Sequence, residues 1–274
     1  HLPSPLPTHD LFTIIHHSIV DSLAVIFNVL LFFAVLFRSP SSLRSYTVLL
    51  VNSVVIDIIG SFTMLITMIR LIPAENMLVY VYDGPCVYVS GFFCHASYTV
   101  MLSTFSQSLF LIAASFAYRL YVLGSPSPST RSVLIVCSLL SVPNLMILAA
   151  YMFTLDDAYA VRAELRILRP EYDLDDYLVQ GHVTIFSLLV MFTILAMTMP
   201  IGPTMVVIFA IRRKVLTLQS LLPVFFSGAV LSYGLCQLGV ACSPVQEHLV
   251  MESVSFMTLF SPVITIYCVK PYRE

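Results

Sequence analysis

Residues 11–37 read LFTIIHHSIVDSLAVIFNVLLFFAVLF, and the eight residues that follow, 38–45, read RSPSSLRS. The first stretch carries one formal charge, Asp21, in a run longer than the roughly 20 mainly apolar residues that cross a bilayer as a helix. It is also too long for the apolar centre of a secretory signal. The second stretch packs Pro, Ser and two Arg into a few positions, which suits a loop at a membrane face. A membrane helix followed by a basic polar turn is therefore the first unit of the fold.

Six further runs repeat the pattern. The spans expected are Leu11–Phe37, Tyr46–Ile72, Cys86–Tyr118, Ser132–Phe153, Leu178–Ile211, Val215–Ala241 and Val245–Val269, broken by LIPAENM, GSPSPSTRS and CSPVQE. The segment Thr154–Tyr177 is the one long polar insertion. Across 274 residues, 58% are hydrophobic and 10% charged, where a soluble domain carries about 25% charged residues. So few charges cannot cover a water-exposed surface. The net charge of −2 argues against a nucleic-acid partner. The chain opens on His1 with no initiator Met, and the expectation is a trimmed N-terminus. The fold class expected is an all-α membrane protein, one seven-transmembrane-helix bundle over residues 1–274.

Basic residues set the orientation. With the N-terminus extracellular, the inner segments hold Arg38, Arg44, Arg119, Arg131, Arg212, Arg213, Lys214, Lys270 and Arg273, against Arg70, Arg162, Arg166 and Arg169 outside. The C-terminus is then cytoplasmic. One junction is physically unworkable: only Arg212-Arg213-Lys214 separates the fifth and sixth runs. A continuous helix there would be about 90 Å long and would place the triplet inside the membrane. The expectation is a cytoplasmic loop missing after Lys214, which intact mass spectrometry tests by asking whether Lys214 is bonded directly to Val215.

Polar residues inside spans face the bundle interior, because lipid offers them no partner. Counting from the inner boundary at 1.5 Å per residue, Asn28, Asp57, Ser108 and Ser261 lie about 15, 16, 16 and 13 Å deep. Four helices thus place a polar group at one depth. The alternatives are helix-packing hydrogen bonds or a switch layer whose bonds rearrange between two packings, with Asp57 as its protonatable member.

Several motifs occur in order along the chain. The second run carries Asn52-Ser-Val-Val-Ile-Asp57, and the third ends Ser115-Phe-Ala-Tyr118-Arg119-Leu-Tyr. The sixth opens Leu216-Thr-Leu-Gln219-Ser-Leu-Leu-Pro223, and the seventh ends Ser261-Pro262-Val-Ile-Thr-Ile-Tyr267 before Lys270-Pro-Tyr-Arg273. Together these resemble the nematode serpentine chemoreceptors of the Str superfamily, most closely its Srd family, over nearly the whole chain. The resemblance implies a G-protein-coupled receptor for odorants or pheromones in the plasma membrane of a sensory-neuron cilium, with no cofactor and no metal. Its partners would be a small, largely apolar ligand, a heterotrimeric G protein and the bilayer. Tyr118 stands where rhodopsin-like receptors carry an acid, so no acid–Arg lock forms within that triplet. Resting restraint on Arg119 must come from elsewhere, with Tyr118 and Tyr267 as the candidates.

The resemblance places coupling at Tyr118, Arg119, Arg212, Arg213, Lys214 and Lys270, and a switch at Asn28, Asp57, Ser108, Ser261, Pro262 and Tyr267. Arg119 would offer donors to the C-terminal helix of a Gα subunit, and Pro223 would let the sixth helix flex. In this architecture the ligand sits in the outer half of the bundle. The candidates there are Met64, Met68, His95, Tyr98, Leu102, Tyr233, Gln237, Glu252 and Phe256, with Arg70 or a ligand amine to meet Glu252. Each has a bland alternative in inter-helix packing, and His95 reads better as a packed residue than as a metal ligand. Cys86 and Cys94 cannot bridge on one regular helix, where eight residues span about 12 Å. They can bridge if the third helix begins after about Gly91. Cys137, Cys236 and Cys268 read as packing residues. A ligand-gated channel or small-solute transporter is the rival class, though no internal repeat supports a transporter.

Overall fold

The structure is a computed structural model that describes residues 8–40, 43–170, 172, 174, 176–199, 201–202, 204–206, 222–239 and 244–268. Eight α-helices and three strands are described: α1 Thr8–Arg38, α2 Arg44–Thr67, β1 Ile69–Ala74, β2 Met77–Tyr82, α3 Gly91–Val122, α4 Thr130–Tyr151, α5 Ala158–Leu168, β3 Leu178–His182, α6 Leu188–Thr198, α7 Leu222–Gln237 and α8 Pro244–Cys268. A short 3-10 turn, Pro85–Tyr88, precedes α3. The helices α1 to α4 and α8 are long and apolar enough to cross a membrane, while α6 and α7 are shorter apolar helices. The junction after Lys214, with Arg212 and Arg213, lies outside the described residues, as does Lys270.

Each long helix is turned inside out relative to a soluble one. On α1 the outward stripe is Leu11, Phe12, Ile15, Ile19, Leu23, Ile26, Leu30, Phe33 and Phe37, all exposed. The buried stripe of the same helix contains Thr13, His17, Asp21 and Asn28. Large apolar side chains outward and polar ones inward is the arrangement that lipid favours, since only the bundle interior offers hydrogen-bond partners. α1 packs between α2 and α8, α3 against α2 and α4, and α7 against α8.

The all-α expectation is wrong at one end of the bundle, where a three-stranded antiparallel sheet lies in the order β1-β2-β3. β1 and β2 form a hairpin pairing Ile69 with Tyr82 and Ala74 with Met77; β2 pairs Leu78 with His182 and Tyr82 with Leu178. Three expected spans therefore change. The second helix stops at Thr67, because Met68 turns left-handed at φ 39° and returns its N–H to Met64. The third begins at Gly91, capped by the Ser90 hydroxyl, which accepts from the Phe93 N–H at 3.1 Å. Residues 178–182 form a strand, and the fifth helix begins at Leu188 behind Ser187, whose side chain accepts from the Val190 N–H. The polar insertion is not simply a loop: it holds the amphipathic α5, with Val161 and Leu165 buried.

The sheet is a plate buried on both faces. Ile69, Leu71, Leu78, Tyr80 and Tyr82 pack toward the helices, with Met64, Tyr98, Met101 and Phe105. Ile72, Ala74, Met77, Val79 and Val81 pack the other way, against Val161 and Leu165 of α5. Alternate residues of a strand point to opposite faces, so one plate serves two cores. With α3 starting at Gly91, the Cys86–Cys94 disulfide forms, with a Cα–Cα distance of 5.1 Å. Cys137 is a buried free thiol. Cys236, read above as a packing residue, is disulfide-bonded.

Candidate functional site

Beneath the sheet the helices leave a cavity of about 180 Å³. Leu71 and Leu78 of the sheet roof it, α3 supplies Tyr98, Leu102 and Phe105, and α4 supplies Tyr151. Thr193, Ile194, Met197 and Thr198 come from α6, Phe226, Ala229, Val230 and Tyr233 from α7, and Val250, Met251 and Val254 from α8. A partly open, mostly apolar space between helices with a few hydroxyls suits a small molecule.

A tyrosine–histidine cluster fixes the wall nearest the sheet. The hydroxyls of Tyr80 and Tyr151 are hydrogen-bonded to each other, and His182 Nε2 lies 3.1 Å from the Tyr151 hydroxyl. His95 Nε2 meets the Tyr151 carbonyl oxygen at 3.1 Å. Burial pushes the His182 imidazole down to about 4, against the opposing pull of Asp156. His182 is therefore neutral at ordinary pH, and Tyr80, also buried, has its phenol pushed far above the usual range.

Of the nine residues expected to bind ligand, Tyr98, Leu102 and Tyr233 line the cavity. The other six do not. Met64 packs in the surrounding core, Met68 ends α2, and His95 supports Tyr151 from behind. Gln237 donates to the carbonyls of Glu75 and Met77 at the hairpin turn. Phe256 stacks with Phe260 and meets His16 edge-on. Glu252 accepts from the Thr13 hydroxyl at 3.3 Å, and the same hydroxyl lies 2.7 Å from His248 Nδ1. Arg70 Nη1 lies 3.5 Å from His248 Nε2.

Glu252 belongs instead to a polar seam between α1 and α8. His17 Nδ1 is 2.8 Å from Asp21 Oδ2, with both side chains fully buried. One Ser255 hydroxyl lies 3.5 Å from His17, and deeper along the seam Asn28 donates to the Ala24 and Thr258 carbonyls at 2.9 and 3.1 Å. The seam explains the missed residues on α8. Its polar side chains face α1, whereas Val250, Met251 and Val254, on the opposite side of the helix, face the cavity. Choosing α8 residues by polarity selects the face toward α1 rather than the face toward the cavity. Phe105 carried a usable signal, since 98, 102 and 105 recur at helical spacing.

Deeper in the bundle, Asp57 is almost fully buried. Its Oδ1 accepts from Ser108 of α3 and its Oδ2 from Ser261 of α8, each at 2.8 Å. Asn28 lies in the α1–α8 seam, and Pro262 follows Ser261 inside α8. At the end of α3 away from the sheet, Arg119 donates from Nε and Nη2 to the Tyr46 hydroxyl at 3.1 and 2.6 Å. That hydroxyl also lies 3.1 Å from Ser115 Oγ, and the guanidinium sits over the Tyr46 and Phe116 rings. Tyr118 packs against Tyr46 with ring centroids 5.3 Å apart. The partner of Arg119 is thus Tyr46 at the start of α2, rather than Tyr118 or Tyr267; Tyr267 is exposed.

One profile of related sequences, that of the serpentine type seven-transmembrane GPCR chemoreceptor Srd, matches residues 13–217 and 214–274. The chain belongs to the Srd chemoreceptor family. Serpentine receptor class delta-19 of Caenorhabditis elegans is 26% identical, with 90% of this chain and 81% of the relative aligned. Class delta-1 of the same nematode is 24% identical over 94% of this chain and 78% of its own length. Class delta-32 is 24% identical over 97% and 86% respectively. This Srd chain is accordingly a serpentine chemoreceptor of the membrane-spanning kind, and the two stretches of its family match meet at residues 214–217.

Proposed function

We propose that this receptor binds a small, largely apolar odorant or pheromone in the cavity under the sheet and activates a heterotrimeric G protein at the Arg119 end. The N-terminus and the sheet lie outside the cell, the C-terminus inside, in the plasma membrane of a sensory cilium. The observation that carries this reading is the single rod of α3. It lines the cavity with Tyr98, Leu102 and Phe105, holds Asp57 through Ser108, and presents Arg119 about 31 Å from Tyr98. α8 runs alongside with Val250 and Met251 at the cavity and Ser261 on Asp57. A ligand that moves α7 or α8 against α3 therefore bears on the Asp57 bonds, and the Tyr46–Arg119 contact is the restraint released. α7 then swings outward and opens a cleft beside Arg119 and Tyr118 for the Gα C-terminal helix, and the basic residues Arg212, Arg213, Lys214 and Lys270 take part in coupling.

Arg119→Ala tests the reading in a cell reporter with purified-protein follow-up. The expected result is loss of ligand-driven nucleotide exchange with normal surface expression. Undiminished exchange, or ligand-gated current in the absence of any G protein, rejects it.

A further inference from the structure

The cavity's chemistry is unusually restricted. Among the described residues, no Asp, Glu, Lys, Arg or His lines it. A charged ligand there would lose its hydration with nothing to replace it. Five hydroxyls reach the wall, those of Tyr98, Tyr151, Thr193, Thr198 and Tyr233, and three of them are hydrogen-bonded within the protein. Thr193 donates to the Leu189 carbonyl, and Thr198 to the carbonyls of Ile194 and Leu195. Tyr151 is bonded to Tyr80 and His182, while the Tyr98 ring packs against the Tyr80 ring with centroids 4.7 Å apart. The Tyr233 hydroxyl, buried from solvent, has no hydrogen-bond partner among the described residues. Tyr82 also has an unpartnered hydroxyl, but it does not line the cavity.

Buried polar atoms are almost always hydrogen-bonded, so an orphan at the wall of a cavity marks where a ligand atom belongs. A tyrosine hydroxyl donates one hydrogen bond and accepts another, which meets a neutral oxygen without requiring charge. Size adds a second limit. A dry apolar cavity of about 150 Å³ holds benzene, and the 180 Å³ here accommodates a body of similar or slightly larger size.

We infer that the ligand is an uncharged molecule with an apolar body of about six to ten non-hydrogen atoms and one oxygen group that hydrogen-bonds Tyr233. The inference rests on the proposal that this cavity is the receptor's ligand site. A ketone, alcohol or ester meets the description; an ammonium or carboxylate does not.

The test uses purified receptor in lipid nanodiscs and a thermal-stability shift, since a ligand that binds only the folded state raises stability. The probes are cyclohexyl, phenyl and linear six- to nine-carbon bodies, each as ketone, hydrocarbon, ammonium and carboxylate. The expected result is that ketones bind about three- to tenfold more tightly than size-matched hydrocarbons. Tyr233→Phe should erase that difference and leave hydrocarbon binding unchanged. Tightest binding by the ammonium or carboxylate members overturns the inference. So does a ketone preference that survives Tyr233→Phe, or no binding by any member at millimolar concentration. Ala229→Phe fills the cavity and separates the two levels of the argument. Binding lost in Ala229→Phe but indifferent to Tyr233→Phe sinks the ligand class alone. Binding that persists in Ala229→Phe sinks the choice of cavity.

Discussion

Tyr46 is the side chain that holds Arg119, and on the proposed function that contact is the resting restraint. Its hydroxyl takes both Arg119 donors, while the ring stays under the guanidinium. Tyr46→Phe keeps the ring and removes the acceptor. A hydrogen bond to a charged donor contributes about 1.5–3 kcal/mol, so ligand-independent signalling in a reporter cell should rise about tenfold, with expression unchanged; unaltered basal signalling argues against the restraint. His182 gives a second prediction at this scale, with a definite sign. Its folded value of about 4 lies below the ordinary 6.5. The unfolded chain therefore binds the extra proton between those values, and stability falls as pH drops from 6.5 toward 4. The loss attributable to this group is roughly 3 kcal/mol. Melting of detergent-solubilised protein followed from pH 7.5 to 5 should show the decline, and His182→Gln should flatten it.

Among the elements, the sheet has no precedent in the hydropathy pattern, and it decides what the cavity is. Its packing leaves no spare room at Gly181, where a Cβ would lie 2.2 Å from the Leu78 carbonyl oxygen and φ is +157°. Gly181→Ala must push β3 off β2. The expected outcome is loss of ligand binding and of surface expression, read by flow cytometry on an N-terminal tag, whereas alanine at Gly124, which has open space around it, is neutral. The sheet was illegible in the sequence for a physical reason. Every residue of β1 and β2 is buried, so the run shows no alternation of apolar and polar residues. A short apolar stretch of that kind cannot be told from the end of a buried helix by periodicity. The same blindness extended the second helix to Ile72 and started the fifth at Leu178.

On the scale of the whole molecule, cavity, Asp57 and Arg119 lie along one helix but do not touch one another. That separation predicts separable effects. Asp57→Asn replaces an acceptor oxygen with a donor amide between Ser108 and Ser261 while leaving the cavity wall intact. Ligand affinity should stay within about twofold while the G-protein response falls tenfold or more, a gap of about 1.4 kcal/mol in coupling. Equal losses of affinity and response would show that Asp57 supports the cavity rather than the transmission of its signal.

Length, apolar runs and the inward polar stripe were set by the one-dimensional order of residues, because lipid sorts side chains by polarity wherever a helix crosses it. The depth argument therefore found Asp57, Ser108 and Ser261 together, and the start of α3 at Gly91 satisfied the condition on which Cys86 and Cys94 could pair. Rotation about each helix axis was another matter. Whether Glu252 or Val254 faces the cavity depends on which neighbour α8 meets on each side, and that is a property of the packed helices and the sheet. Tyr98, Leu102 and Tyr233 line the cavity because they lie on the faces that packing turned inward. Gln237, Glu252 and Phe256 lie off that wall because each meets a neighbour that only the tertiary structure brings within reach.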